Sequence, residues 1–376
     1  MNSRLRRAAP DRRTALDDPA AIARVDPSDA RGVLTGFPEQ CRRAAELVAA
    51  PTPAADRPRV VVVAGMGGSA AGGDIVAACG AGSVEVPVLV HRGYGLPAPA
   101  AAGALVIASS YSGETAEVLS AVEVALARGV PVVAITAGGT LGRIAAAHGL
   151  PRVALPPGLM PRMALGYLLL PAIALLAGCG VAVATKDEVI EAIEVVTAMA
   201  GDLAPERPAS ANEAKRLALA VGRRLPVVYG GQVTGLAAYR WKTDFEENAK
   251  VFALAGAVPE TTHNEIEAWR RPGARAMQLV LLRDAGEPAP VSRRIVVFRD
   301  LAGPAAGGVS EAWSRGRGVL ARLLSLVYLG QWTSYYLAVL RDVDPWSIPL
   351  LDEVKRRMAA ADAGGAAGAL RGADSP

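Results

Sequence analysis

The chain has little of what marks a disulfide scaffold, a metal protein or a nucleic-acid binder. Its 376 residues hold only 3 cysteines and 3 histidines. Cys41, Cys79 and Cys179 are odd in number and widely spaced, and no CxxC occurs. A disulfide framework or a structural zinc needs paired or closely spaced ligands, so neither is expected, and a reducing, cytoplasmic setting fits. Aromatic residues make up 5%, with no stripe in which they alternate with basic ones. The net charge is +4, and much of the basic excess sits in Arg4, Arg6, Arg7, Arg12 and Arg13. That tip reads as a solvated tail, and no nucleic-acid partner is expected. No apolar run follows the early charges, so no secretory signal is expected either.

Long apolar runs are scarce as well. The exception is Met163 to Thr185, which has no charged residue and is about as long as a bilayer span. Gly166, Pro171, Gly178 and Gly180 interrupt it, Arg162 and Lys186 flank it evenly, and no second span follows. The expectation is a helix buried in a domain or subunit interface, with no membrane partner.

What is present is ample apolar content, 51% against 20% charged residues, in a chain long enough for two domains. Short β-branched runs alternate with Ala-rich helical stretches. Arg59–Val63 reads as a central parallel strand covered on both faces, and strands follow at Val86–Val90, Leu105–Ala108, Val132–Ile135 and Arg152–Leu155. Helical patterns at Glu114–Ala127 and Thr140–Ala147 lie between them. Pro205–Ala211 is a polar break, after which Leu225–Gly231 repeats the strand-into-glycine-loop order of Val60–Gly68. Strands at Ala276–Leu282 and Arg294–Phe298 and a long helix from about Gly318 to Arg341 complete a second half. The expected fold is α/β, two similar halves each with a parallel sheet flanked by helices. The halves span residues 21–204 and 212–358, between a disordered arm at 1–20 and an Ala- and Gly-rich disordered tail at 359–376.

Three motifs carry chemistry. Gly65-Met66-Gly67-Gly68-Ser69-Ala70 lies where a strand turns into a helix, so its amides can approach an anion. Gly65, Gly67 and Ala70 also fit the dinucleotide pattern GxGxx(G/A). The second strand, however, ends Val90-His91-Arg92, without the carboxylate that holds a ribose; the arginine leaves an NADP site open. Ser110, Ser112 and Thr115 follow the strand Leu105–Ala108. One helix cap needs one hydroxyl; three on one turn, with the Gly113 amides, point to a phosphate held without Lys or Arg. The third motif pairs Glu247-Asn248-Ala249-Lys250 with His263-Asn264-Glu265. A carboxylate ending a helix and an imidazole in the next loop suit proton transfer, although Lys242, Asp244, Glu246 and Lys250 also make that helix read as a solvated face.

In this order the motifs resemble the sugar isomerase domain superfamily and, within it, the prokaryotic bifunctional phosphoglucose/phosphomannose isomerases. Pro161-Arg162, Ser334–Ala338, Asp344-Pro345 and Lys355 fall in the same order, so the resemblance runs from roughly Leu16 to Met358. It implies an aldose–ketose isomerase acting on fructose 6-phosphate, glucose 6-phosphate and mannose 6-phosphate, in a homodimer with active sites at the subunit contact. By that likeness Gly68, Ser69, Ser110, Ser112 and Thr115 bind the phosphate, and Arg162 stabilises charge on the intermediate. Glu247 is the base, while His263, reaching in from the partner, and Lys355 assist ring opening. The reaction is redox-neutral, so no cofactor and no metal is expected. Three features depart from the family pattern: the segment from Met160 to Glu247 is somewhat longer than usual, Glu246 adds a like charge beside Glu247, and Trp346 puts a bulky ring after Pro345. The alternatives are a non-catalytic sugar-phosphate sensor, for which no helix-turn-helix is found outside the two halves, and an isomerase of another sugar phosphate.

Overall fold

The computed structural model describes residues 12–49 and 57–372. Four short helices come first: α1 (Arg12–Asp17), α2 (Pro19–Val25), α3 (Ala30–Thr35) and α4 (Phe37–Ala45). The first α/β unit follows as β1 (Val60–Ala64), α5 (Gly67–Gly80), β2 (Val88–His91), β3 (Ala104–Ser109), α6 (Ala116–Ala127), β4 (Val132–Thr136), α7 (Gly139–Ala147) and β5 (Arg152–Ala154). Helices α8 (Leu165–Gly178), α9 (Lys186–Leu203) and α10 (Glu213–Val221) lead to the second unit. It comprises β6 (Leu225–Gly230), α11 (Gly235–Asn248), β7 (Leu254–Ala257), β8 (Met277–Arg283), α12 (Ala289–Ala302), β9 (Gly308–Trp313), α13 (Val319–Arg341) and α14 (Pro349–Gly372).

Every strand pairing is parallel, and the sheets run β2-β1-β3-β4-β5 and β7-β6-β8-β9. Over four strands the two orders are the same, as expected of two similar halves. Val61, Val62 and Val63 are at most 1% exposed because β1 lies between β2 and β3 and both its faces are covered. Alternation then sorts the faces. Val62, Val106 and Ala134 pack under α6 and α7, and Val227, Leu279 and Leu281 pack with Phe298 and Trp269. The opposite faces, through Val61, Val63, Ile107, Val228, Val280 and Leu282, share one core with α8, α9 and α13. The two halves therefore meet through a common helical layer, and the break at Pro205–Ala211 is a short turn between α9 and α10.

The apolar stretch after Met163 forms α8, a 14-residue helix with Pro171 inside it, buried as expected. Among the described residues the helix long and apolar enough to cross a membrane is instead α13, with a mean hydropathy of 1.2, and 94% of that stretch is buried in the protein. It is the central core helix. Its tyrosines satisfy their hydroxyls internally: Tyr328 donates to the Leu34 carbonyl at 2.8 Å and Tyr335 to Asp26 at 2.9 Å.

Three expectations are corrected. The arm expected to be disordered is helical from Arg12, and Asp17 accepts from the Ala209 amide at 2.8 Å and from the buried Lys215 ammonium at 3.0 Å. The tail is helical as far as Gly372, within α14. Residues 1–11 and 373–376 of those two segments lie outside the described residues. Arg294–Phe298, expected as a strand, lies in α12, whose buried Val291, Ile295, Phe298 and Ala302 follow the helical period.

Candidate active site

In the first sheet the chain leaves β1 for β2 on one side and returns to β3 on the other. That topological switch point is where open α/β sheets bind ligands, beyond the carboxyl ends of the strands. The glycine loop after β1 and the serine loop after β3 both end there. Helices α5 and α6 start from them, with Met66 and Thr115 at their caps and no side-chain cap bond at either. Two uncapped helix N-termini on neighbouring strands make an anion-binding corner.

The hydroxyls expected to serve it come together. Ser110 and Thr115 share a hydrogen bond of 2.8 Å, and the Gly113 amide donates to the Ser110 Oγ at 3.1 Å. The Tyr111 amide reaches the Ser69 Oγ at 3.4 Å, joining the two loops. Ser112 stays exposed and accepts from the Glu114 amide at 3.2 Å. Gly113 has φ +73°, and a Cβ there would lie 1.9 Å from the Gly138 carbonyl oxygen, so only glycine lets the loop close on its neighbour.

Gly68 ties this corner to the second motif. A Cβ at Gly68 would lie 2.6 Å from the Pro161 carbonyl oxygen and 2.9 Å from the Arg162 Cα. Its absence lets the start of α5 sit directly on the 3-10 turn Pro161–Met163. Gln40 of α4 anchors the other side of that turn, donating to the Met163 carbonyl at 2.9 Å and accepting from the Gly166 amide at 2.8 Å.

Arg162 is 2% exposed and held as a fork. Its Nε donates to Asn248 Oδ1 at 2.8 Å, and its Nη2 to the carbonyls of Pro345 at 2.9 Å and Trp346 at 2.8 Å. Its Nη1 lies 3.6 Å from Glu247 Oε2 and has no hydrogen-bond partner among the described residues. Burial holds the guanidinium below its ordinary value, against the opposing pull of Glu247. Asn248 is itself oriented by donating to Ser334 Oγ of α13 at 2.9 Å. The residue after Pro345 thus contributes its carbonyl rather than its ring. Glu246 points into a pair with Lys242 at 2.7 Å.

Lys250, with φ +54°, turns the chain out of α11. Its ammonium donates to the Asn248 carbonyl at 3.2 Å and to the Asp344 carbonyl, next to the two carbonyls that hold Arg162. Burial, then the Arg162 charge, pushes it down to about 8. Asp244, one turn before Glu247, is 1% exposed; burial raises its carboxyl above the usual range, against the opposing pull of the Arg240 charge. Its neighbour Arg240 is 4% exposed. By sequence Asp244 reads as part of a solvated helix face. Its i, i+4 spacing from Arg240, on the side that carries Trp241 and Phe245, is the signal for a buried pair.

The single chain does not bring every expected residue to this place. His263 ends a 3-10 turn, Glu260–Thr262, with its side chain exposed. Lys355 lies on α14 with 70% of its side chain exposed, 3.7 Å from Asp352. In the second sheet the equivalent switch point, between β6 and β8, is filled from within. Arg322 donates to Asp284 at 3.0 Å, Ser314 does so at 2.8 Å, and Thr234 donates to the Leu282 carbonyl at 3.0 Å. A cavity of about 110 Å³ opens between α5 and α11, lined by Met66, Gly67, Arg92, Tyr239 and Thr243 among others. Neither Glu247 nor the serine-loop hydroxyls line it.

Comparison with known proteins gives the family and the fold. A family profile described as SIS domain matches residues 55–148, and one described as bacterial phospho-glucose isomerase C-terminal SIS domain matches residues 210–358. The chain is 37% identical to a bifunctional phosphoglucose/phosphomannose isomerase of Caldicellulosiruptor bescii, over 86% of this chain and 97% of that protein. It is 33% identical to the protein of that name from Thermoplasma acidophilum, over 79% of this chain and 89% of the other. The fold is similar to a solved hypothetical protein of Thermus thermophilus, with a TM-score of 0.68 at 19% identity, covering 93% of this chain and 94% of that one.

Proposed function

The chain belongs to the family of bifunctional phosphoglucose/phosphomannose isomerases, and from that membership and the site geometry we propose that it interconverts fructose 6-phosphate with glucose 6-phosphate and mannose 6-phosphate. The observation that carries the chemistry is the buried Arg162 Nη1, without a hydrogen-bond acceptor among the described residues, 3.6 Å from the Glu247 carboxylate. A free cationic donor beside a partly exposed carboxylate suits a reaction in which that carboxylate takes a carbon-bound proton and the substrate becomes an anion.

The phosphate sits at the switch point, held by Ser69, Ser110, Ser112 and Thr115 and by the amides that open α5 and α6 at Gly68 and its neighbours. Binding there, remote from the reacting carbons, fixes C1 and C2 against the base. His263 moves a proton between the ring oxygen and a sugar hydroxyl to open the ring, and Lys355 assists. Glu247 then removes the proton from C2 of the aldose and returns one to C1, through a cis-enediolate. Arg162 offsets the charge on that intermediate. Glucose and mannose differ only at C2, so one base serves both when the enediolate rotates about C2–C3. No electron pair leaves the substrate, so the residues above suffice for the chemistry.

His263 and Lys355 belong to this site in a homodimer, in which the partner completes each active centre. Their exposed positions, and the exposed Leu350, Leu351, Val354 and Met358 on α14, support that reading. A non-catalytic sensor needs the phosphate corner alone and has no use for the Arg162–Glu247 pair.

A coupled assay supplying fructose 6-phosphate and reading glucose 6-phosphate and mannose 6-phosphate separately tests the function. Both products are expected. Formation of neither, with fructose 6-phosphate still bound, overturns it in favour of a sensor or an isomerase of another sugar phosphate.

A further inference from the structure

We propose that Arg240, with Asp244 as its charge partner, is a positioning residue that sets the distance between Arg162 and Glu247. The proposal rests on the reading of those two residues as the reacting pair. The Nη2 of Arg240 lies 2.7 Å from Asp244 Oδ1 and donates to the main-chain carbonyl of Arg162 at 2.6 Å. One nitrogen thus bridges α11, whose last turn carries Glu247, and the turn that carries Arg162. The Arg162 guanidinium is fixed at its far end by Asn248 and by the carbonyls of Pro345 and Trp346. Arg240 fixes its near end, the backbone.

The pair is a poor choice for stability alone. Both side chains are at most 5% exposed, and Arg240 Nε and Asp244 Oδ2 are buried without hydrogen-bond partners among the described residues. Apolar residues of similar size in such a place are often as stabilising as an ion pair or more so. They cannot bond to the Arg162 carbonyl, whose other side-chain donor is Gln331 at the longer distance of 3.5 Å. What the charges add over an apolar pair is the register between two elements that meet at the reacting carbons. Asp244 is needed because a lone buried guanidinium would pull toward solvent or toward Glu247 and break the bridge.

The test compares the double variant Arg240→Met/Asp244→Leu, the single variant Arg240→Lys, and Glu247→Gln, each assayed from fructose 6-phosphate. The double variant removes both charges and leaves the Arg162 carbonyl to the more distant Gln331 amide, so its melting temperature should fall by no more than the loss of one hydrogen bond. Its kcat should fall about a hundredfold, as for a misplacement of about 1 Å, with KM within about threefold. A folded double variant with unchanged kcat overturns the proposal, as does a parallel rise of KM with no effect on kcat. Should the double variant fail to fold, Arg240→Lys decides. It keeps a cation for Asp244, but its ammonium ends one bond short of the Nη2 position and cannot hold both Asp244 and the Arg162 carbonyl, so the same fall in kcat at constant KM is expected. Glu247→Gln separates the two failures. If it remains active, the reading of the site has failed; if it is inactive while the Arg240 variants turn over normally, only the positioning role has failed.

Discussion

Arg162 and Glu247 lie far apart in sequence, on elements from different halves, yet Nη1 of one stands 3.6 Å from Oε2 of the other. The arginine arrives on a 3-10 turn pressed against the glycine loop of the first half, and the glutamate on the last turn of α11 in the second. The shared helical layer behind them, above all α13 through Ser334 and Gln331, keeps the two in register.

Gly68 is the contact on which that register depends from the phosphate side. Gly68→Ala places a methyl 2.6 Å from the Pro161 carbonyl, against backbone that has no rotamer to yield. Overpacking of this kind costs about 1–3 kcal/mol. Lower thermal stability and a lower kcat are expected together, because the turn that moves carries Arg162. Calorimetry and steady-state kinetics check this; an alanine variant that matches the parent in both contradicts the packing account.

Ser110→Ala should act on binding. The hydroxyl bridges Thr115 and the Gly113 amide, so its loss loosens the phosphate corner without touching the Arg162–Glu247 pair. KM for fructose 6-phosphate should rise about tenfold or more, as for loss of about 1.5–3 kcal/mol of charge-assisted hydrogen bonding. A change confined to kcat would place the serine loop nearer the reacting carbons than the phosphate.

Lys250 gives a pH dependence. Its folded value, about 8, lies below the ordinary 10.5 of an unfolded lysine. Between these values the folded side chain is neutral and the unfolded one is protonated, so unfolding takes up a proton and this group's contribution to stability rises with pH. Below about 8 the cost of holding a partly desolvated ammonium near the Arg162 charge is fully present, while the exposed remainder of the side chain keeps that cost modest. Lys250→Met removes that titration. Relative to the variant, the parent should gain melting temperature as pH rises from 8 to 10; parallel curves contradict the assignment.

Much of this is legible in the sequence, for identifiable reasons. Val60–Ala64 and Val132–Ile135 are continuous apolar runs rich in β-branched residues, as expected of a strand covered on both faces. The serine loop is legible because three hydroxyls exceed what a cap uses. Arg294–Phe298 misleads because a short apolar run fits a buried strand as well as a helix. β7, with the sequence Leu-Ala-Gly-Ala, and the polar edge strand β9 carry too little strand signal to be found. The charges of α11 mislead for a deeper reason. Spacing along a helix shows which residues share a face, but not that Asp244 and Arg240 face the core of another half. Nor does order along the chain tell that Glu247 and Arg162 meet while His263 and Lys355 remain at the surface.

The central claim is that Glu247 moves a carbon-bound proton. Its most direct test is incubation of the parent and Glu247→Gln with fructose 6-phosphate in deuterium oxide, following deuterium at C2 of the product hexoses by nuclear magnetic resonance. The parent should introduce deuterium at C2 of glucose 6-phosphate and mannose 6-phosphate, and the variant, still binding the sugar phosphate, should introduce none on the same timescale. Incorporation by the variant at the parental rate would contradict the assignment of the base.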